Sequence, residues 1–288
     1  MPTSHEQHSG RGMNVAATLY FKACHAWPAF RRGSRRVMYR LLARYAQQRD
    51  WTFMNYGYAP LTQGETQPAL DPADEPNRYS IQLYNHLAAS VDLHGLRVLE
   101  VGSGRGGGAS YLLRALRPAE MVGVDFSEPA VALCHRLYDL PGLRFVHGDA
   151  EDLPFEDGSF DVVVNVESSH CYGSVPQFLS EVARVLRPGG YLLFADFRRG
   201  PDLALLDEQL TASGMATLRQ ADITPNVLSA LALDEARRSA QIRAAAPRWL
   251  VKLMGEFAGL QGSRIQADLA SGAASYVSYV LQKAAVQI

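Results

Sequence analysis

The sequence predicts an α/β fold that is doubly wound around a mostly parallel sheet of seven strands. From residue 97 onward, short apolar strands alternate with helical segments, a pattern typical of a parallel sheet covered by helices on both faces. The chain has 288 residues, of which 47% are hydrophobic, so it can bury one large core. We therefore expect one such domain with helical additions before its first strand and before its last.

Each element is located by its apolar run and by the turn residues around it. The strands are predicted at residues 97–101, 121–126, 143–149, 160–166, 191–197, 215–224 and 274–284. The helices among them are predicted at residues 107–116, 128–138, 175–186 and 201–214. Residues 225–271 have apolar positions at helical spacing and are expected to form a lid, in which Trp249 and Phe257 either pack within the lid or face an apolar acceptor.

Residues 1–76 are expected to form a disordered start, a helical cap and a linker. The first twelve residues are polar, residues 13–50 carry apolar positions at helical spacing, and four prolines between 60 and 76 indicate a loop. An amphipathic helix with Asn77 as its cap then opens the main domain, residues 77–288. The helices of the cap offer a route to a homo-oligomer by exchange between subunits.

Composition narrows the classes of function. The formal net charge is -1, so no overall field favours nucleic acid, and we see neither a signal peptide nor a membrane span. The three cysteines are scattered without a CxxC pair, which fits the reducing cytoplasm and argues against a disulfide framework or a zinc site. No metal site is predicted. We expect a cytoplasmic globular protein.

A glycine loop follows the first predicted strand. Gly102, Gly104 and Gly107 fit the dinucleotide pattern GxGxxG, and Asp125 lies about 20 residues further on, so a nicotinamide enzyme is one interpretation. The same loop also reads Glu100-x-Gly102-x-Gly104-x-Gly106. An acid directly before the loop would repel a pyrophosphate, whereas it suits the ammonium group of S-adenosylmethionine.

Four segments in order resemble the motifs of the class I S-adenosylmethionine-dependent methyltransferases: VLEVGSGRG, VGVDFS, GDAEDLPFEDGSFDVVV and VARVLRPGGYLLFAD. Together with NVESSHCYG and the final SYVSYVLQKA, the chain also looks like the phthiotriolone and phenolphthiotriolone dimycocerosate methyltransferases and related natural-product enzymes. The resemblance implies a Rossmann-like fold, S-adenosyl-L-methionine as the cofactor, and methylation of a hydroxyl or enolised ketone on a lipophilic small-molecule acceptor.

The resemblance also implies roles for individual residues. Glu100 would face the positive end of the cofactor, Asp125 would accept both ribose hydroxyls, and Asp149 with Ala150 would clamp the adenine. The loop glycines would let the backbone approach the donor. Phe126 and Ser127 either line the adenosine slot or serve as a packing residue and a helix cap. The remaining expected cofactor contacts are Ser103, Glu151, Asn165, Val166, Tyr56, Tyr79 and Gln82, with a plain packing role as the alternative for the tyrosines.

Polar residues follow the buried fourth strand, in the stretch NVESSHCYG. Buried polar groups destabilise a fold unless they are satisfied or used, so this stretch is the expected catalytic site. His170 is the candidate general base for an alcohol, and Glu167 could orient the imidazole, bind the hydroxyl or act as the base. Cys171 is expected to be a wall residue. The non-catalytic alternatives are that His170 is a hydrogen-bonded loop residue and that Glu167 caps the following turn.

Other functions remain open on sequence grounds. One is carbon methylation of a prenyl or other alkene with Glu167 as the base, in which aromatic residues would hold a cation. The arginines at positions 31, 32, 35 and 36 would then contact a diphosphate. A different class is a cyclase or metabolite-binding protein in which S-adenosylmethionine has no catalytic part.

Overall fold

A computed structural model describes residues 51–62 and 67–285 of the chain. The predicted disordered start, the helical cap, its arginine cluster and its role in oligomerisation fall on residues 1–50, outside the described residues. Among the described residues, no helix is long and apolar enough to cross a membrane.

Seven strands form one sheet in the order β3-β2-β1-β4-β5-β7-β6. The first five strands run parallel, and β7 is antiparallel to both of its neighbours, β5 and β6. This confirms the predicted doubly wound, mostly parallel sheet. The strands are β1 Arg97–Val101, β2 Glu120–Asp125, β3 Leu143–His147, β4 Phe160–Val166, β5 Leu186–Arg199, β6 Ala216–Asp222 and β7 Ala274–Gln282.

Nine α-helices accompany the sheet in the described ranges 51–62 and 67–285. They are α1 Arg78–Ala88, α2 Gly107–Leu116, α3 Glu128–Leu137, α4 Val175–Val185, α5 Gly200–Ala212, α6 Thr224–Leu233, α7 Glu235–Ala245, α8 Arg248–Phe257 and α9 Arg264–Ser271. The main difference from the predicted bounds is β5, which begins five residues earlier because Leu186 already pairs with Phe160 across a register shift. The predicted helical insertion between the last two strands is present as α6 to α9.

The sheet separates two apolar layers because successive residues of a strand point to opposite faces. Along β4, Val162 and Val164 pack on the face covered by α1, α2, α3, α6 and α9, whereas Val163 packs against α4 and α5 on the other face. All three valines are buried. A purely apolar run in the sequence is therefore the expected pattern for this central parallel strand.

Residues 51–59, which we call the strap, run extended from the insertion to the start of α2. Ala59 N–H donates to the Asn226 carbonyl of α6 over 3.1 Å, and Gly107 N–H at the start of α2 donates to the Thr52 carbonyl over 3.2 Å. Tyr56 and Tyr58 are buried in the larger core cluster. Although the sequence places these residues in a linker, they pack as part of the main domain.

The contact between Gly107 and the strap leaves no room for a side chain, and this can be tested. A Cβ atom at Gly107 would lie 2.5 Å from the Thr52 carbonyl oxygen, which is backbone and has little freedom to move. We expect Gly107→Ala to lower the free energy of unfolding by about 1–3 kcal/mol, the usual effect of overpacking. Urea unfolding would measure the loss, and limited proteolysis would show earlier cleavage in the strap.

Gly200→Ala is the matched control, since Gly200 begins α5 and a Cβ there meets no atom within 4 Å. Equal stability of the two variants would contradict the proposed packing of the strap.

Candidate active site

Glu100 lies on β1 just before the glycine loop and is 1% exposed. Its Oε1 accepts a hydrogen bond from the Tyr84 hydroxyl over 2.6 Å. Burial raises the pKa of Glu100 to about 8, although this hydrogen bond lowers it. The sequence placed Tyr84 only on the apolar face of α1, and the signal for its role was that a buried phenol needs a polar partner.

Two buried oxygens near Tyr84 have no hydrogen-bond partner within the part of the chain that the structure describes. They are Oε2 of Glu100 and Oδ1 of Asn55, a strap residue that the sequence reasoning missed. Glu100 accepts from the Tyr84 hydroxyl, and the Asn55 side chain lies close enough to lower the pKa of that phenol. Two desolvated acceptors suit an ammonium group, whose positive charge favours the ionised form of Glu100. The residues present therefore fit the expected cofactor at this end.

The glycine loop follows, and its three alternate glycines all have the left-handed conformation that favours glycine, with φ of +79°, +53° and +76° at Gly102, Gly104 and Gly106. A Cβ at Gly102 would lie 2.4 Å from Ser168 Oγ, and one at Gly106 would lie 2.6 Å from the Phe145 ring. Two of the glycines are thus required by the protein's own packing as well as by any ligand. Gly104, by contrast, has an open side.

Asp125 ends β2 next to this loop. Its Oδ2 accepts from Gly104 N–H and its Oδ1 from Ser127 N–H, each over 2.8 Å, so the carboxylate is held at both oxygens. Burial raises the pKa of Asp125, and the two N–H groups oppose that shift. A carboxylate oxygen can accept more than one hydrogen bond, so this geometry leaves room for the expected ribose hydroxyls.

The remaining residues that were predicted in the loops after β1, β2 and β3 differ in their burial and in their hydrogen-bond partners. Ser103 Oγ and Ser127 Oγ are buried without a partner in the described chain, and Ser127 does not cap α3 through its side chain. Phe126 is exposed beside the His147 ring. Asp149 Oδ1 accepts from Glu151 N–H over 3.0 Å, next to buried Ala150.

Two side chains that were predicted to contact the cofactor, Glu151 and Gln82, hydrogen-bond other parts of the protein. Glu151 Oε1 accepts from Gly173 N–H over 2.6 Å, which ties the loops after β3 and β4 together. Gln82 donates to the side chain of Gln67 over 3.1 Å, and the Tyr79 carbonyl accepts from the strap. Direct contact of these side chains with the cofactor stays a prediction.

Asn165 holds the ends of β1 and β4 together. Its Nδ2 donates to the Val101 carbonyl over 2.9 Å and lies 2.7 Å from Ser168 Oγ and 2.9 Å from the Tyr172 hydroxyl. Asn165 is fully buried, and Val166 after it is 6% exposed. The side chain of Asn165 thus shapes the loop in which the expected catalytic residues lie.

Glu167 directly follows β4 in a left-handed conformation with φ of +47°, which is strained for a glutamate. Its Oε1 accepts from Tyr56 N–H of the strap over 2.5 Å and from the Tyr276 hydroxyl of β7 over 2.7 Å. Burial raises the pKa of Glu167 to about 7, against the opposite effect of these two donors. A carboxyl group in this range can gain or lose a proton near neutral pH.

His170 lies on the short 3-10 turn Ser169–Cys171. Its Nδ1 is 2.7 Å from Oδ1 of Asp196, a fully buried acid on β5. The carboxylate that orients the imidazole is therefore Asp196, whereas the sequence reasoning offered Glu167 for that role. The missed signal was an acid within the apolar run of β5, YLLFADF. Nε2 is the ring nitrogen that Asp196 does not hold.

The charges of this pair depend on each other. Burial alone would lower the pKa of His170, but Cys171 and Asp196 outweigh it and raise the pKa to about 9. Burial alone would raise the pKa of Asp196, but the positive charges of His170 and Arg198 hold it below its ordinary value. Each charge therefore stabilises the other, and the contact favours an imidazolium beside a carboxylate.

Aromatic rings surround these groups. The Phe197 ring centroid lies 4.5 Å from that of His170, 5.7 Å from that of Tyr56 and 6.5 Å from that of Tyr276. On the insertion, the Phe257 carbonyl accepts from the Tyr56 hydroxyl over 3.1 Å, and the Phe257 ring is partly exposed. The side chain of Trp249 is outside the described part of the chain. The site thus combines an imidazole, two carboxyl groups and aromatic rings.

Comparisons with known proteins show which family the chain resembles. Residues 99–194 match the family model described as "Methyltransferase domain". The chain is 42% identical over 252 residues to the phthiotriol/phenolphthiotriol dimycocerosates methyltransferase of Mycobacterium tuberculosis, covering 86% of this chain and 91% of that protein. It is 46% identical over 198 residues to the fatty-acid O-methyltransferase of Mycolicibacterium smegmatis, covering 68% and 70%. Among solved structures, the 4+2 cyclase SpnF has the same fold, with a TM-score of 0.67 and 21% identity over 86% of this chain and 94% of that one.

Binding at the glycine loop provides a direct test of the two acids. We expect Glu100→Gln and Asp125→Asn each to weaken S-adenosylmethionine binding by about tenfold or more, because each removes a charged acceptor for a polar group. Isothermal titration calorimetry would measure the dissociation constants. Asp139→Asn, at an exposed acid beyond α3, is the control and should bind like the wild type. Unchanged binding in both site variants would contradict the assignment.

Proposed function

Because the chain belongs to the S-adenosylmethionine-dependent methyltransferases, we propose that it methylates a hydroxyl group of a lipophilic small molecule with His170 as the general base. Membership of this family makes the protein an enzyme with S-adenosyl-L-methionine, and not a nicotinamide, as its cofactor. The proposal concerns the acceptor, the atom that is methylated and the residues that move the proton.

The observation that carries the proposal is the contact between Asp196 and His170. The cofactor supplies a methyl group on a sulfonium, which is transferred by in-line displacement. An alcohol is a poor nucleophile until its proton is being removed, so the protein must hold a base at the reacting oxygen. Asp196 contacts Nδ1 of His170, so the proton of the hydroxyl would pass to Nε2. The Asp196 carboxylate would then stabilise the imidazolium that results.

Glu167 assists in this proposal. It lies three residues before His170 and accepts from Tyr56 and Tyr276, so its carboxyl group is held at the same edge of the sheet. In the ionised form it would accept a hydrogen bond from the acceptor hydroxyl. It also ties the strap to β7, so its loss would affect the shape of the site as well as its charge.

The acceptor class rests on the aromatic wall and on the relatives. The names of the two curated relatives refer to dimycocerosates and to fatty acids, and the second name specifies oxygen methylation. The rings of Phe197 and Phe257, which are at least partly exposed, would give such an acceptor an apolar surface. We propose biosynthesis of a lipid-like secondary metabolite as the setting, in the cytoplasm and without a nucleic-acid partner.

A second candidate is carbon methylation of an alkene, with Glu167 as the base. The observation that favours it is the pKa of Glu167, which burial raises to about 7, in a position between two tyrosines. A base with this pKa is ionised at neutral pH for half of the molecules or more, and aromatic faces stabilise a nearby cation.

The pH dependence of the reaction separates the two bases. For His170, whose pKa is raised to about 9, the base form appears only as the pH rises through that value. We therefore expect kcat/KM for the acceptor, at saturating cofactor, to rise with pH with its midpoint near pH 9 and to level off above that value. Stopped assays of methyl transfer to long-chain alcohols between pH 6 and 10 would measure the profile.

Two variants complete this experiment. His170→Gln should lose about 100-fold or more of the rate, the usual contribution of a general base. Glu167→Gln should retain the limb near pH 9 at a reduced rate. If the limb instead lies near pH 7 and disappears only in Glu167→Gln, Glu167 is the base and the assignment of His170 is wrong.

A further inference from the structure

Arg198 is a buried arginine next to the proposed base, and the mechanism above does not use it. It lies on β5 two residues after Asp196 and is 8% exposed. Its Nη1 is 3.0 Å from Oδ2 of Asp196 and donates to the Phe197 carbonyl over 2.8 Å. Its Nη2 donates to Ser169 Oγ over 2.6 Å. A buried cation with this many defined contacts has a fixed position.

Ser169 closes a ring of three side chains. Its hydroxyl donates to Oδ2 of Asp196 over 2.6 Å and accepts from Arg198. The backbone N–H groups of His170 and Phe197 donate to the two carboxylate oxygens, each over 2.8 Å. With Nδ1 of His170, five donors contact one carboxylate, so its orientation is determined by the surrounding protein.

We propose that Arg198 is a positioning residue for His170. Together with Ser169 it fixes the Asp196 carboxylate as an anion directed at Nδ1, and it offsets part of the negative charge that Asp196 presents to the imidazolium. This inference rests on the proposed function of His170 as the general base, and it names a residue that acts through Asp196 without touching the acceptor.

The offset matters because a base must release its proton again. A buried carboxylate with no other cation would stabilise the imidazolium strongly and raise the pKa of His170 further. Arg198 contacts Oδ2 of the carboxylate whose Oδ1 faces Nδ1 of His170, so less of the negative charge acts on the imidazole. The arginine thus keeps Asp196 ionised and in place, while it limits how tightly the proton is held on the imidazole.

Other charged and titratable groups face this pair and set the background for the effect. Cys171 and Glu167 lie on the loop after β4, Tyr276 comes from β7, and Tyr56 comes from the strap. None of these supplies a positive charge. Arg238 of α7 acts on Glu167 and Tyr56, so it contributes on the far side of the site.

Three variants test the inference. Arg198→Met removes the charge, Arg198→Lys keeps the charge but cannot form the planar two-pronged contact with Asp196 and Ser169, and Arg199→Met is the matched control. Arg199 is the next residue on β5, and it pairs with Asp268 of α9 on the surface side. Thermal unfolding would establish that each variant is folded.

The first measurement is the NMR titration of the His170 ring in protein with labelled histidine. The protein has eight histidines, and the His170 signal is identified by its absence in His170→Gln. The second is the pH profile of methyl transfer. In Arg198→Met we expect both midpoints to rise by about one pH unit, with a rate at pH 7.5 that falls about tenfold and recovers at higher pH.

In Arg198→Lys we expect the midpoint to stay near the wild-type value, because the charge is kept. Its plateau rate should fall severalfold, because the carboxylate is no longer held at both points. Arg199→Met should match the wild type in midpoint and in plateau rate.

A folded Arg198→Met with an unchanged His170 midpoint overturns the inference. If that variant does not fold, a wild-type plateau rate in Arg198→Lys overturns it instead. If the pH profile of the wild-type rate does not match the NMR titration of His170, the proposed function of His170 is wrong. The effect of Arg198 on the pKa of His170 is then decided by the NMR titration alone.

Discussion

Four acids are gathered at the carboxyl ends of neighbouring parallel strands, and the rest of the site depends on how their charges are accommodated. Asp125 belongs to β2, Glu100 to β1, Glu167 to the end of β4 and Asp196 to β5. Burial is the largest influence on the pKa of all four, and in each case it opposes ionisation. Buried like charges are tolerated only with specific partners, so each acid defines the residues around it.

The partners of the four acids differ, and each set of partners matches a different role. Glu100 is hydrogen-bonded by neutral donors, among them Tyr84, which leaves it ready for a cation. Asp125 is held by backbone N–H groups, which orient it without neutralising it. Glu167 is bound by the strap and by β7, with a pKa raised by burial to about 7. Asp196 alone has full counter-charges, His170 and Arg198, so it stays ionised and serves to orient.

The strap links the surroundings of these acids to the helical insertion. Tyr56 connects Glu167 to the Phe257 carbonyl of α8, and the Asn55 carbonyl accepts from Arg238 of α7 over 2.5 Å. The same segment covers the start of α2, beside the glycine loop. Movement of the insertion would therefore act on the surroundings of Glu100 and of Glu167 together, through a segment that the sequence places in a linker and in which only Tyr56 was an expected cofactor contact.

The features that could be predicted are those that depend on residues close together in the sequence. Periodicity located the strands and helices, and spacing located Glu100, Asp125 and His170, because a motif preserves the order of residues at one sheet edge. Pairings across elements leave no such pattern. The partner of His170 is Asp196, 26 positions away on another strand, and the partners of Glu167 are more than 100 positions away in both directions. Asn55, Tyr84 and Arg198 were missed for the same reason.

The most direct test of the central claim, that Nε2 of His170 takes the proton of an acceptor hydroxyl, is a crystal structure with S-adenosylhomocysteine and a long-chain alcohol. The account predicts the alcohol oxygen within hydrogen-bond reach of Nε2, roughly 2.6–3.2 Å, with Asp196 still at Nδ1. An alcohol oxygen bound to Glu167 and beyond the reach of Nε2 would contradict it.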